Sequence, residues 1–202
     1  LGWLDASGII IHINPLQEWF QPGGDSFCYP PLVTLNNFLE FLDLNKIKSS
    51  SRVIVKEVGQ GMGPASLQAL LELPLAAVEF AAFGGTNFSK LERMRNRTLD
   101  NAFDQFIYQG HSSSEMVEFV RQVASSLEVK KRLKVNHFIV AGGIRDFLDG
   151  HYLTSRLGYR SIFGYASRPL IFAQQSYEEV RNFFQHQIMG LMLARQFLRV
   201  RE

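Results

Sequence analysis

The chain has 202 residues, room for one domain or for part of a larger one, and its 46% apolar fraction with 17 Phe suffices for a sizeable core. A net charge of +2 with no long basic run gives no argument for nucleic acid. No apolar run reaches the length of a membrane-crossing helix, and Cys28, the one cysteine, rules out an intramolecular disulfide and suits a reducing cytosol. Leu1-Gly2-Trp3-Leu4 has no basic region of a signal peptide and reads as the end of a helix, and a small buried role is expected for Cys28.

Ile9 to Ile13 is an apolar run of the kind a strand buried on both faces needs. His12 and Asn14, two apart, would point the same way on that strand, and Pro15 should end it. Gln17, Glu18 and Gln21 follow, then the turn residues Pro22-Gly23-Gly24-Asp25. A buried strand that ends in His and Asn and opens into a polar loop describes a site at the C-terminal end of a parallel strand. Thr34 is expected to cap a helix with Leu35, Phe38, Leu39 and Leu42 on its apolar stripe. Lys46 to Ser51 reads as a polar connector, and Arg52 to Val58 as a second strand. Pro64 suits the first turn of a helix over Ala65 to Leu73.

Ala76 to Ala82 reads as a third strand running into Gly84-Gly85-Thr86-Asn87. The long segment from Phe88 to Gly110 is expected to be a functional lid or a partly helical insertion. Ser112 and Glu115 form a capping box ahead of Met116, Phe119, Val120 and Val123. His137 to Val140 is a fourth strand, a helix follows over about Leu148 to Leu157, and Ser161 to Tyr165 is a fifth strand. The last helix opens at Ser176 with Glu179 and runs to about Val200, its stripe being Val180, Phe183, Phe184, Ile188, Leu191 and Phe197. Alternating short apolar strands and helices predict an α/β fold with a parallel sheet. About five strands fit either an open sheet or part of an eight-stranded barrel.

Five features carry chemistry. Gly142-Gly143 lies between a strand and a helix, where backbone amides can hold an anion. Gly164-Tyr165-Ala166-Ser167 is the next strand end, and two such consecutive loops form the phosphate site of many barrels. Lys56 stands inside an apolar strand, where a lysine is rare unless paired. The alternative is a pair with Glu57 or another acid; Glu57 is a poor partner because strand neighbours face opposite sides, so a role in holding an anionic group is favoured. Glu18 can serve a hard cation such as Mg²⁺ together with substrate phosphate oxygens. Arg93, Arg95 and Arg97 read first as a solvated helical face and second as a diphosphate contact.

Four stretches together resemble type 2 isopentenyl-diphosphate isomerase: HINPLQEWFQPGGD at 12–25, VIVKEVGQGM at 53–62, GGTNFSKLE at 84–92 and AGGIRDFLDG at 141–150. The GYAS segment and the long last helix also fit. The resemblance implies a (β/α)₈ TIM barrel, with this chain a single domain over 1–202 that supplies about the last five β/α units and with strands one to three outside this sequence. It implies interconversion of isopentenyl and dimethylallyl diphosphate with reduced FMN and Mg²⁺, NADPH as the reductant, and a cytoplasmic homo-oligomer without nucleic-acid or membrane partners. By the same resemblance Gln17 is catalytic and contacts the small diphosphate substrate with His12 and Asn14, and Glu18 is the metal ligand. Lys56 and Thr86 would contact FMN, and Gly142, Gly143, Ile144, Ala166 and Ser167 would take its phosphate.

Two other readings stand beside it. One is a non-catalytic barrel fragment that needs a missing N-terminal half. The other is FMN-dependent oxidation of a 2-hydroxy acid, which relatives perform with a His-Gly pair. Phe83-Gly84-Gly85-Thr86 has no histidine, so this second alternative is disfavoured.

Overall fold

The structure is a computed structural model that describes residues 6–25, 28–45 and 53–201. The expected helix end at Leu1 to Leu4, the connector Lys46 to Ser51 and Arg52 lie outside the described residues. In chain order the elements are β1 (Ile9–His12), α1 (Pro15–Phe20), α2 (Pro31–Leu44), β2 (Val53–Lys56), α3 (Pro64–Leu71) and β3 (Ala77–Glu79). Then come α4 (Phe88–Arg95), a 3₁₀ helix (Asn101–Tyr108), α5 (Ser113–Val129), β4 (His137–Ala141), α6 (Phe147–Leu157), β5 (Arg160–Gly164), α7 (Ser167–Ala173) and α8 (Tyr177–Phe197).

The five strands form one parallel sheet in the order β1-β2-β3-β4-β5. An open doubly wound sheet reverses its strand order and carries helices on both faces. Here the order never reverses, and among the described residues the helices cover one face only. In register, Val55 pairs with Val78 and Val78 with Phe138. These three, with Val53 and Val140, are at most 2% exposed and join Leu35, Leu67, Met116, Val120 and Leu157 in the core under the helices. The intervening rows point away from that core. Ile10 pairs with Ile54, and the next row runs His12, Lys56, Glu79, Ile139, Ile162 across all five strands. Ile10 is 56% and Ile162 65% exposed. No described helix is long and apolar enough to cross a membrane.

Several expectations need correction. β1 is not buried on both faces: within the described residues it pairs only with β2, Ile10 lies on the uncovered face, and Ile9, on the core side but at the edge of the sheet, is exposed as well. Thr34 does not cap α2. The helix begins three residues earlier, because Pro31 at its first position has no N–H to satisfy and a preset φ. The third strand is only three residues long, since Ala81 adopts a left-handed φ of 41° that no strand continues through. The second strand stops at Lys56, where Glu57 turns inward. Cys28 is exposed rather than buried.

The capping box at Ser112 and Glu115 is formed, with the Glu115 carboxyl held below its usual range by the Ser112 hydroxyl and amide. Ser176 caps α8 through the Glu179 amide. Phe88 to Gly110 is partly helical, carrying α4 and the 3₁₀ helix.

Candidate functional site

Parallel strands deliver all their C-terminal loops to one end of the sheet, and every residue singled out from the sequence lies there. In the loop after β1, Asn14 is buried and its amide works at both ends. Oδ1 accepts from the Gln17 amide at 2.8 Å, capping α1, and Nδ2 donates to the Val58 carbonyl at 2.9 Å. Asn14 therefore sets α1 relative to the next loop. His12, two residues away, is exposed on the uncovered face, and because the strand ends before Asn14 the two side chains do not share one direction. The segment expected to be a polar loop is in fact α1, signalled by an Asn N-cap followed by Pro at the first helical position.

Gln17 and Glu18 lie half-buried in the first turn of α1. The Asp25 amide donates to Glu18 Oε2 at 3.1 Å, while no hydrogen bond among the described residues engages Oε1. A Cβ on Gly24 would come within 2.1 Å of the Glu18 carbonyl oxygen, so a glycine is what lets the turn fold back over this residue. Leu16, Glu18, Trp19 and Asp25 border a cavity of about 600 Å³. No group of three or more His, Cys, Asp or Glu able to hold a metal occurs among the described residues, so protein donors here amount to a sparse carboxylate set.

The long segment between β3 and α5 is a brace. Trp19 meets Phe103 edge-on with ring centroids 4.9 Å apart, and Asn96 Nδ2 donates to the Phe20 carbonyl at 3.0 Å, so the insertion fixes α1 from outside. Arg93 is neither a solvated helical residue nor a free diphosphate contact. Its side chain is 11% exposed and its guanidinium donates to Asp104 at 2.6 Å, Asn101 at 2.8 Å and the Asn96 carbonyl at 2.9 Å. Arg95 pairs with Glu92, and Arg97 is exposed.

After β2, Lys56 forms an ion pair with Glu79, its register partner on β3, at 3.3 Å. Glu57 is the acid beside Lys56 in sequence, but Glu79, not singled out from the sequence, is near only through strand pairing. Glu57 faces the protein interior, where Oε2 accepts from the Gln60 amide at 2.6 Å and the Gly61 amide at 2.8 Å. Burial pushes its carboxyl up to about 7, against the opposing pull of those amides. Gln60, also missed, joins three segments. Nε2 donates to the Gln109 carbonyl at 2.8 Å and the Phe106 carbonyl at 3.3 Å, and Oε1 accepts from Ser89 at 2.9 Å.

The loops after β3 and β4 touch through their backbones. A Cβ on Gly84 would approach the Gly143 Cα to 3.1 Å, and one on Gly142 would fall 2.0 Å from the Ala82 carbonyl oxygen. Gly142 is thus required by protein packing, a reason independent of any ligand. Gly143 has a left-handed φ of 74° but no such collision. The Gly143 and Ile144 amides meet no backbone or side-chain acceptor among the described residues. Thr86 is exposed, and its carbonyl oxygen packs against Gly59, where a Cβ would come within 2.6 Å.

Ala141 pairs with Gly164, so Gly142 to Ile144 and Tyr165 to Ser167 leave the sheet from neighbouring points. Gln187 of α8 ties them together, its Oε1 accepting from the Phe147 amide and the Tyr165 hydroxyl, each at 3.0 Å. Ala166 and Ser167 are exposed at the start of α7. The arrangement offers amides without a protein acceptor and an exposed serine on one side, a paired lysine in the middle, and a carboxylate with a glutamine on the other. Such an end can bind an extended anion.

Comparison with known proteins places this geometry beside named relatives. No family model matches the chain. It is 31% identical over 194 residues to an isopentenyl-diphosphate delta-isomerase of Synechococcus sp., covering 95% of this chain and 51% of the relative. It is 30% identical over 191 residues to the protein of that name from Ignicoccus hospitalis, covering 95% and 49%. A Nostoc sp. protein of the same name is 34% identical over 154 residues, covering 72% and 38%. The chain spans about half the length of the curated relatives it matches most fully.

Proposed function

We propose that this chain is the C-terminal portion of an FMN-dependent, type 2 isopentenyl-diphosphate isomerase. The reading rests above all on one observation. The stretches that match the family pattern, scattered from residue 12 to residue 167, emerge together at the C-terminal end of a single parallel sheet. Relatives named isopentenyl-diphosphate delta-isomerase match 95% of the chain. The uncovered face, with its isoleucine rows and two open edges, supports a closed (β/α)₈ barrel completed by three further strands from outside these residues. That same face favours the alternative that the chain alone is inactive until completed.

The residues present fit the two groups the reading requires. Glu18 keeps one carboxylate oxygen clear at a cavity edge, which matches Mg²⁺, a cation that takes one or two carboxylates together with substrate phosphates. The Gly143 and Ile144 amides, beside Ala166 and Ser167, would hold the FMN phosphate, and Lys56 and Thr86 would contact its ring. Bound reduced flavin would supply electron-rich character that favours protonation of an alkene. The chain's own part is positioning and proton handling. Glu18 and the metal would fix the diphosphate, His12 would line its site, Asn14 would hold α1 in place beneath it, and Gln17 would orient or relay the proton at the hydrocarbon end. NADPH would keep the flavin reduced.

Glu18→Gln tests the metal assignment. In the completed enzyme with reduced FMN, we expect Mg²⁺-dependent conversion of isopentenyl diphosphate to fall by about 10²-fold or more, the scale set by losing a charged positioning group. FMN affinity should stay unchanged. Wild-type turnover in the variant would remove Glu18 from the metal site.

A further inference from the structure

Resting on the flavin reading above, we infer that Glu79 is a positioning residue for that site, holding the Lys56 ammonium where it can meet a bound anionic group. The uncovered face of the sheet is apolar at Ile10, Ile54, Ala77, Ile139 and Ile162. It departs from that pattern at one end of the row that holds Ile139 and Ile162, where His12, Lys56 and Glu79 stand side by side on three adjacent strands. Lys56 Nζ and Glu79 Oε1 are 3.3 Å apart, with side chains 29% and 15% exposed.

Stability does not account for this pair. Two partly buried charges incur a desolvation cost that their attraction barely offsets, and a well-packed apolar pair is often as stable or more so. Ile10 and Ile54 in the preceding row, and Ile139 and Ile162 further along the same row, show that apolar residues fit this surface. A use for the charge does account for it. Lysine has a long flexible stem, and left alone its ammonium samples many positions. Glu79 is its direct register neighbour, the shortest anchor the sheet can provide. One carboxylate contact occupies one side of the ammonium and leaves further N–H donors for a ligand. Among the described residues Lys56 is the one ion-pair partner of Glu79. The two therefore act together, with Lys56 touching the ligand and Glu79 acting through it.

The test is a double-mutant cycle read as FMN dissociation constants by flavin fluorescence, on the completed enzyme as wild type, Lys56→Ala, Glu79→Ala and the double variant. Glu79→Gln serves as a second, isosteric variant, and circular dichroism melts confirm that each is folded. We expect Glu79→Ala to weaken FMN binding about tenfold, with no further loss in the double variant beyond Lys56→Ala, because Glu79 acts only through Lys56. Glu79→Gln should fall between, as an amide can orient the ammonium without its charge. Unchanged affinity in folded Glu79→Ala and Glu79→Gln, or a fully additive cycle, would overturn the positioning role while leaving the flavin reading intact. Failure of wild type to bind FMN would overturn both.

Discussion

Glu57 shows how one carboxylate is held against its preference for water. It is 7% exposed and accepts two backbone amides on a single oxygen, which leaves the other oxygen able to carry a proton without breaking either bond. Its carboxyl in the folded chain sits at about 7, above the 4.5 of a free glutamate, with burial as the main cause. The folded state therefore binds the proton more tightly than the unfolded state. Its stabilising contribution is complete below the unfolded value and is lost as pH rises through about 7. The full penalty is about 3 kcal/mol, since every tenfold change in proton affinity corresponds to about 1.4 kcal/mol. Glu57→Gln keeps the acceptor oxygen and has no charge to bury. We expect the variant to match wild type near pH 5 and to exceed it in melting temperature near pH 8. Parallel melting curves across that range would show that Glu57 stays solvated.

At the scale of elements, the site is a set of loops locked to one another by backbone contacts. The two glycines after β4 illustrate that adjacent residues can be required for different reasons. Gly142 lies against β3's continuation, where a Cβ would fall 2.0 Å from Ala82 O and 2.4 Å from Ala82 N. A Cβ on Gly143 would meet only ordinary contacts, 3.6 Å from the Gly84 Cα and the Phe83 carbonyl oxygen, so what that position needs is its left-handed backbone. Gly142→Ala should cost about 3 kcal/mol or more by forcing the β3 and β4 loops apart, and Gly143→Ala about 1 kcal/mol. Chemical denaturation of the two variants checks the order, and equal losses would mean that the loops separate easily. The same logic of bracing applies to α1. It has only six residues, too few to be stable alone, and it is held by the Asn14 cap, the Asn96 bond to Phe20 and the Trp19–Phe103 contact.

For the molecule as a whole, one sheet face and both sheet edges are open among the described residues, and they are apolar. Ile10, Ile162 and, on α8, Ile188, Met192 and Phe197 are each more than half exposed. Unpaired parallel edges beside such surface promote association. We expect the 202-residue chain on its own to self-associate at micromolar concentration in sedimentation velocity. Ile162→Lys, on the β5 edge and the open face, should reduce that association without lowering the melting temperature. A wild-type chain that sediments as a monomer would mean that the open face is not adhesive.

Much of this protein is written locally in its sequence. Five strands, the capping box at Ser112, the start of α8 at Ser176 and the Pro64 start of α3 follow from hydrophobic period, caps and proline, which act within a few residues. The residue types at the candidate site were equally legible, because glycines, amides and an acid clustered after apolar runs. The tertiary structure alone decided what depends on neighbours distant in the chain. Only strand register brings Glu79 to Lys56, only packing of the insertion turns Arg93 inward, and only Ala82 makes Gly142 obligatory. The exposure of β1 was likewise not local: an all-apolar strand reads as buried, and whether anything covers it is settled by what lies next to it in space.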